Sequence, residues 1–240
     1  MGGRLQFTLN SWLSKKGSNK HENRDSCSVY LNHDVVFAIL VDATDHGLNG
    51  IEFSSDWKNH LINLVKKQGN LSPAHIRMGI FNAHCMLRNK GYIHEKAAYA
   101  ILVLDKKAGV GWTLNCGDCR VGGVNRNGDV LWLTPVHSAA NAFGEEFTIK
   151  HAQSIERNSL TKCLRIRHFD EPAVSQFELD NYEMWCMATD GFWVDHVLLG
   201  EDITTLKDDA SVLTLALSVG DINLQTDCAN FEYINNTSAE

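Results

Sequence analysis

Aspartates end several of the apolar runs in this sequence. Asp42 ends the run VVFAILVD, Asp118 ends WTLNCGD, and Asp190 ends MWCMATD. A fourth acid, Asp227, comes shortly before the apolar residues near the C-terminus. Aspartate favours turns, which would explain any one of these positions. Four acids beside strongly apolar segments are harder to explain in this way, because a buried carboxylate without a partner is costly.

Carboxylates that converge at one end of a sheet repel one another unless cations lie among them. Their oxygens are hard ligands that select Mg²⁺ or Mn²⁺ rather than zinc. Two such ions lower the pKa of a bound water and neutralise the charge that develops when a phosphate ester is hydrolysed. The sequence has no Walker loop and no GxSxG elbow, and two-metal hydrolysis needs no nucleophilic side chain. The aspartates therefore indicate metal-assisted hydrolysis.

The composition is that of an ordinary soluble protein. Of the 240 residues, 44% are hydrophobic and 21% are charged. A formal net charge of -7 argues against nucleic-acid binding, which normally requires a basic surface. The longest apolar run, residues 97–104, is too short to span a bilayer, and the N-terminus lacks the pattern of a signal peptide. We expect no membrane partner and a cytoplasmic location.

One pair of the seven cysteines, Cys116 and Cys119, has CxxC spacing. This spacing is found in zinc sites and in redox dithiols. No second CxxC and no nearby histidine pair completes a zinc site, so reduced thiols are the favoured interpretation.

The apolar pattern predicts the elements that would position the acids. Continuous apolar runs at residues 35–41 and 98–104 are typical of strands buried on both faces. Shorter strands are predicted at residues 111–116, 120–124, 130–133, 184–190 and 231–234.

Apolar residues at helical spacing predict helices around residues 57–65 and 76–87, and a third helix over residues 208–219. The Asn-Gly step within residues 125–129 predicts a hairpin, because it supplies the positive φ angles of a tight turn. Residues 139–160 are polar and lack a pattern, so an irregular, flap-like excursion is expected there. These elements predict an α+β fold with two packed sheets and helices outside.

The order and spacing of the motifs resemble the metal-dependent protein Ser/Thr phosphatases of the PP2C type, in a bacterial-like form, over nearly the whole chain. The segment NCGDCRVGGVNRNGDVLWLT resembles that family's GDSR strand and hairpin, MATDGFW resembles its (A/S)-(T/S/C)-D-G segment, and LVDATDHG its first metal loop. TDCANF is similar to the terminal D-(D/N) motif and KHENRD to the early R-x-x-N-E-D element. The resemblance implies a single domain, residues 1–240, with a central antiparallel β-sandwich flanked by helices on both sides. It also implies a centre of two Mn²⁺ or Mg²⁺ ions that hydrolyses phosphoserine or phosphothreonine.

Carried over position by position, the resemblance implies that Asp42, Asp190 and Asp227 are the metal-binding and catalytic aspartates. Ala43 stands where a glycine usually offers its carbonyl to the metal. Gly191 follows Asp190 as the family pattern requires, and the resemblance places it among the metal-site residues as well.

Three further positions have an expected role in the same site. Asp118 matches the aspartate that the family associates with a third, weaker ion. Lys20 stands where the family has a phosphate-binding arginine, and a lysine supplies the charge without a bidentate clamp. His46 lies four residues after Asp42 and is placed to protonate a leaving alkoxide, because histidine titrates near neutrality. An exposed loop histidine is the alternative interpretation of His46.

Departures from the family pattern leave a second hypothesis open. Arg24 replaces an acidic residue, and Val136 replaces the aspartate of a D-H-S element. Val194 stands at a position that is often acidic, with Asp195 one residue later. The main hypothesis is a monomeric phosphatase that acts on phosphorylated proteins. The alternatives are a pseudophosphatase that binds phosphoproteins without turnover, and a small-molecule phosphatase on the same site.

Overall fold

The strands within the described part of the chain form two six-stranded sheets. The structure is a computed structural model that describes residues 8–67 and 71–237. In chain order the strands are β1 Ser11–Lys15, β2 Asp25–Leu31, β3 Val35–Ala43, β4 Ala97–Asp105, β5 Val110–Cys116, β6 Arg120–Val124, β7 Val130–Trp132, β8 Ala173–Glu178, β9 Met184–Ala188, β10 Ala210–Ala216, β11 Asn223–Thr226 and β12 Phe231–Asn235. The first sheet has the order β11-β1-β10-β9-β6-β7, and the second has the order β12-β2-β3-β4-β5-β8.

Neighbouring strands run antiparallel except at one edge of each sheet. β1 pairs with β11 in parallel, and β2 pairs with β12 in the same way. β11 reverses direction after β10 and therefore runs parallel to β1, which lies between them. The predicted α+β sandwich is confirmed, with the correction that its sheets are mixed rather than antiparallel throughout.

Strands β3 and β4 form the middle of the second sheet and are buried on both faces. Phe37 and Ile39 point towards the helices, whereas Val36 and Ala38 point towards the first sheet. Both strands therefore consist almost entirely of apolar residues, as the sequence predicted. Asp42 comes near the end of β3, where the buried run reaches the edge of the sandwich.

Two long helices cover the outer face of the second sheet. α1 spans Gly50–Lys67 and α2 spans Pro73–Leu87, and both pack on the same apolar cluster. Pro73 occupies the first turn of α2, and the Ser72 side chain caps it by accepting a hydrogen bond from the His75 N–H. Both predicted helices are confirmed. Within residues 8–67 and 71–237, no helix is long and apolar enough to cross a membrane.

The outer face of the first sheet is covered by shorter helical segments. A π-helix, Gly191–Leu198, and a one-turn helix, Ile149–Ala152, pack against its apolar residues. The helices therefore lie on both sides of the sandwich, but unequally. The excursion at residues 139–160 contains only short helical turns, and it brings Asn158 to the end of the sandwich that holds the acids.

The helix predicted over residues 208–219 is wrong, because this segment forms strand β10. Every residue of β10 is buried, and the strand lies between β1 and β9. A strand buried on both faces gives a continuous apolar run, which periodicity alone cannot distinguish from a buried helix. The predicted hairpin at residues 125–129 is confirmed, with Gly128 at a φ of 82°.

Candidate metal centre

The ends of several strands meet around one cavity of about 190 Å³. Asp42 comes from the end of β3, Asp118 from the turn between β5 and β6, and Asp190 from the end of β9. Asp208 and Asp209 come from the segment that leads into β10. The cavity is lined by Lys20, Asp42, Ala43, Thr44, Asp45, His46, Ala98, Asp118, Asn158, Leu160, Asp190, Asp208 and Asp209.

The carboxylates in this cavity disfavour one another's charge. Burial raises the pKa of Asp42 well above its usual range, and repulsion from Asp25 and Asp190 raises it further. Burial likewise raises the pKa of Asp190, with repulsion from Asp118 and Asp208 added. The pKa of Asp118 is raised to about 6, chiefly by burial. A cation among these groups would remove most of the repulsion.

Asp25 is a buried acid that the sequence analysis did not assign to the site. It pairs with Asp42 across β2 and β3, and only 1% of it is exposed. Its Oδ2 accepts a hydrogen bond of 3.0 Å from the Thr189 hydroxyl, whereas its Oδ1 has no partner among the described residues. An unpartnered buried carboxylate oxygen beside other carboxylates fits a cation-binding site.

The donor chemistry therefore fits Mg²⁺ or Mn²⁺, because every charged ligand candidate is a carboxylate. In the described ranges, no group of three or more His, Cys, Asp or Glu side chains is already arranged to hold a metal ion. The fit rests on the type, burial and mutual repulsion of the carboxylates.

Asp227, one of the predicted ligands, does not line this cavity. It follows the edge strand β11, and its Oδ2 accepts a hydrogen bond of 2.9 Å from the Lys16 N–H. β11 lies outside β1 at the edge of the first sheet, so the sheet order keeps this acid away from β9. Asp208 and Asp209 occupy the cavity instead. The sequence did not point to these two acids because a helix was predicted over residues 208–219, and acids at the start of a helix were not expected to lie at the end of a sheet.

Asp209 positions the segment that carries Lys20. Its Oδ1 accepts a hydrogen bond of 2.9 Å from the Gly17 N–H, and its Oδ2 accepts one of 2.8 Å from the Arg24 N–H. Lys20 Nζ then contacts Asp45 and lies 2.7 Å from Asp208 Oδ1. Burial alone would lower the pKa of Lys20, but these two carboxylates outweigh it and raise the pKa.

The remaining predicted residues take different places. Ala43 and His46 line the cavity, and His46 is exposed at its rim. Gly191 is buried at the start of the π-helix, where an added Cβ would lie 2.0 Å from the Asp209 carbonyl oxygen. Glycine is therefore needed at 191 for the close approach of two backbone segments.

Arg24 points its guanidinium at the loop after β3, where its Nε also lies 4.0 Å from Asp45 Oδ1, and it forms no ion pair with any other described aspartate of the cavity. Its Nη1 donates hydrogen bonds of 3.0 and 2.9 Å to the carbonyl oxygens of Thr44 and Gly47. Its Nε donates one of 3.0 Å to Glu22. Arg24 thus holds the loop that contains Asp45 and His46.

The π-helix explains the displaced acid after Asp190. A π-helix closes its hydrogen bonds at i+5, as the Leu199 N–H does with the Val194 carbonyl at 2.8 Å. The residue five positions after Asp190 therefore lies one turn later, and this residue is Asp195. Asp195 contributes to the raised pKa of Asp190, and it pairs with Arg157 of the excursion at 2.6 Å.

The CxxC pair does not resemble a metal or redox site. Cys116 and Cys119 are both buried and free, and burial raises the pKa of each thiol. The interpretation as reduced thiols fits this environment.

Neither a family model nor a curated protein matches this chain. Solved structures do match it. The Ser/Thr phosphatase Stp1 from Staphylococcus aureus has 17% identity and a TM-score of 0.73, and the match covers 91% of this chain and 100% of that one. The PPM Ser-Thr phosphatase MsPP from Mycobacterium smegmatis, in complex with cacodylate, has 17% identity, coverage of 88% and 100%, and a TM-score of 0.68. The Mycobacterium tuberculosis phosphatase PstP/Ppp has 15% identity, coverage of 85% and 96%, and a TM-score of 0.67. This chain has the fold of the bacterial PP2C-type (PPM) Ser/Thr phosphatases.

Proposed function

We propose that this protein hydrolyses phosphoserine and phosphothreonine in proteins with the help of Mn²⁺ or Mg²⁺. The observation that carries the proposal is the cavity in which Asp42, Asp118, Asp190 and Asp208 meet, because burial and the repulsion between carboxylates raise the pKa values of the first three. The similarity of fold to solved Ser/Thr phosphatases supports the same class of reaction. The whole chain, residues 1–240, would act as one domain and as a monomer.

The proposed carboxylate ligands differ in one position from those expected on the sequence alone, because Asp208 takes the place of Asp227. Asp42, Asp190 and Asp208 would hold two ions, with the carbonyl of Ala43 as a further oxygen. Asp118 would serve a third, weaker ion. When bound, the ions would supply an activated water and offset the negative charge of the phosphate.

The residues around the acids would hold the substrate. Lys20 lies at the cavity with its charge shared between Asp45 and Asp208, and a substrate phosphate would compete for it. His46 is exposed at the rim, where it would meet the leaving alkoxide and donate a proton.

Hydrolysis of p-nitrophenyl phosphate and of a phosphoserine peptide, with Mn²⁺ and after its removal, tests this proposal. We expect turnover that depends on Mn²⁺ and is abolished by Asp190→Asn, because this change removes a charged ligand. Thermal unfolding of both proteins without metal controls for loss of the fold. Metal binding without turnover by the native protein would indicate a binding module, and full turnover by the variant would contradict the mechanism.

A further inference from the structure

A second cavity, of about 310 Å³, lies between α1, β2 and the segment that leads into β12. Its volume is in the range of small-molecule sites. We call it the α1 cavity. It is lined by Asn23, Arg24, Asp25, Ser26, Ser28, Ile51, Ser55, Lys58, Asn59, Cys228, Ala229, Asn230, Phe231 and Glu232.

Lys58 is the unusual residue of the α1 cavity. It lies on the buried face of α1, one turn after Ser54 and one turn before Ile62, and is only 7% exposed. Apolar residues normally occupy such positions, because a buried ammonium without a partner is costly. The sequence places a charge on a helix face that otherwise packs against the sheet.

The ammonium of Lys58 has neither a hydrogen-bond acceptor nor an ion-pair partner among the described residues. Burial lowers the pKa of Lys58 to about 8, opposed by attraction from Glu232. The hydroxyl of Ser26 in the same cavity is also buried and has no hydrogen-bond partner within residues 8–67 and 71–237. Among the described residues, the α1 cavity thus contains a cation without an ion-pair partner and a buried hydroxyl group without a hydrogen-bond partner.

The negative groups of the cavity do not neutralise Lys58. Glu232 is exposed and accepts a hydrogen bond of 3.3 Å from the Ser28 hydroxyl. Asp25 accepts a hydrogen bond from the Thr189 hydroxyl. It lies in the cluster of buried aspartates around Asp42, which we call the acid cluster, and there burial and repulsion from Asp209 raise its pKa. Arg24 adds a second cation to the lining.

We propose that the α1 cavity binds a small organic anion, a carboxylate or a phosphate ester, whose oxygens accept hydrogen bonds from Lys58 and Ser26. This site is separate from the proposed catalytic cavity and does not depend on phosphatase activity. The two cavities are neighbours with different linings: Arg24 lines the α1 cavity and also holds the loop of Asp45 and His46, and Asp25 of the same lining pairs with Asp42 across the sheet.

Direct binding to metal-free protein tests the proposal, with inorganic phosphate and succinate as probes. The chelator is removed by gel filtration, because it is itself an anion. NMR of the native chain labelled with ¹³C at lysine Cε reports on each ammonium, and calorimetry gives the affinity. The Lys58 signal is assigned by its absence in Lys58→Met.

We expect the Lys58 signal to shift saturably with at least one probe. Lys58→Met should weaken that binding by about tenfold or more, because a hydrogen bond to a charged group is lost. Lys66→Met, an exposed lysine on the same helix, is the matched control and should bind as the native chain does. A response to phosphate alone would identify a phosphate ester, and one to succinate alone would identify a carboxylate.

The NMR measurement uses the native chain and therefore does not depend on the folding of a variant. A Lys58 signal that responds to neither anion would overturn the proposal. So would a phosphate response confined to Lys20 with all binding heat lost in Lys20→Ala, because phosphate would then occupy the catalytic cavity alone.

Discussion

Asp208 and Asp227 are the two aspartates that compete for one role in the proposed metal site. Asp208 lines the acidic cavity and contributes to the raised pKa values of Asp42 and Asp190. Asp227 instead accepts a hydrogen bond from the Lys16 backbone. Each carboxylate can be removed with the isosteric amide, so the two variants form a matched pair.

We predict that Asp208→Asn lowers kcat/KM for a phosphoserine peptide more than about a hundredfold, since a charged metal ligand is lost. Asp227→Asn should stay within about twofold of the native value, because an amide oxygen still accepts the Lys16 hydrogen bond. Steady-state kinetics over a range of Mn²⁺ concentrations measures both. The opposite ranking would return Asp227 to the site.

At the level of single residues, sequence and structure agree where an acid lies at the end of a correctly predicted strand or within two residues after it. Asp42, Asp118 and Asp190 were found in this way and line the cavity. Asp25 was missed because it begins a strand, and it is recognisable only by its pairing with Asp42 across the sheet. Such a pairing depends on register, which the sequence of one strand does not contain.

Arg24 is a single side chain that fixes the loop between β3 and α1. A cation near a dinuclear centre would repel metal, which favours an acid at this position. The guanidinium is instead bound to the carbonyls of Thr44 and Gly47. Its contribution is therefore to the order of the loop.

Arg24→Met and Arg24→Glu distinguish repulsion of the metal by the Arg24 charge from ordering of the loop by its hydrogen bonds. Both should loosen the loop and raise the Mn²⁺ concentration needed for half-maximal activity to a similar extent, because both lose the same two hydrogen bonds. Calorimetric Mn²⁺ titration and amide exchange of Asp45 and His46 provide the measurements. Tighter Mn²⁺ binding in the glutamate variant alone would place residue 24 at the metal centre.

The π-helix and the excursion at residues 139–160 are joined by the pair of Arg157 and Asp195. Their side chains are 20% and 10% exposed, and Arg157 Nη1 lies 2.6 Å from Asp195 Oδ1. The pair of Arg126 and Glu183 is the natural control, with side chains 88% and 62% exposed and a distance of 3.8 Å.

We predict that Arg157→Ala lowers the free energy of unfolding by about 1–3 kcal/mol, because it leaves a buried carboxylate without its partner. Arg126→Ala should cost about 0–1 kcal/mol, as is usual for exposed pairs. Denaturant unfolding gives both values, and limited proteolysis shows whether the excursion opens first. Equal costs for the two variants would mean that Asp195 is solvated.

The elements also show where sequence patterns stop being informative. The helical spacing of α1 and α2 was clear because one face of each helix is exposed. β10 has no exposed face, so its apolar run carried no period, and the acids before it were assigned to a helix. The π-helix was likewise not predicted from the sequence. The only sign of it was that the acid expected at Val194 stands one residue later, at Asp195.

For the whole molecule, the acid cluster makes stability depend on pH and on metal. The pKa values of Asp42 and Asp190 are raised well above the ordinary range, and that of Asp118 is raised to about 6. The folded chain therefore holds more protons than the unfolded chain between about pH 4 and these raised values. By linkage, stability without metal is greatest below the unfolded pKa and falls as the pH rises through the raised ones. Burial lowers the pKa of His84 and of His137, which acts in the opposite direction.

We predict that Asp190→Asn is more thermostable than the native protein at pH 7 without metal, and that this difference shrinks towards pH 4. The histidine contributions are common to both proteins and cancel in the comparison. Mn²⁺ at a hundred times its Kd should stabilise the native protein by about 2.7 kcal/mol at pH 7 and the variant much less. Thermal unfolding of the native protein and of the variant from pH 4 to pH 7, each with and without Mn²⁺, tests both expectations. If the melting temperatures of the two metal-free proteins differed by the same amount at every pH, the acids would have to be neutralised within the folded chain itself, and the cavity would have no need of a cation.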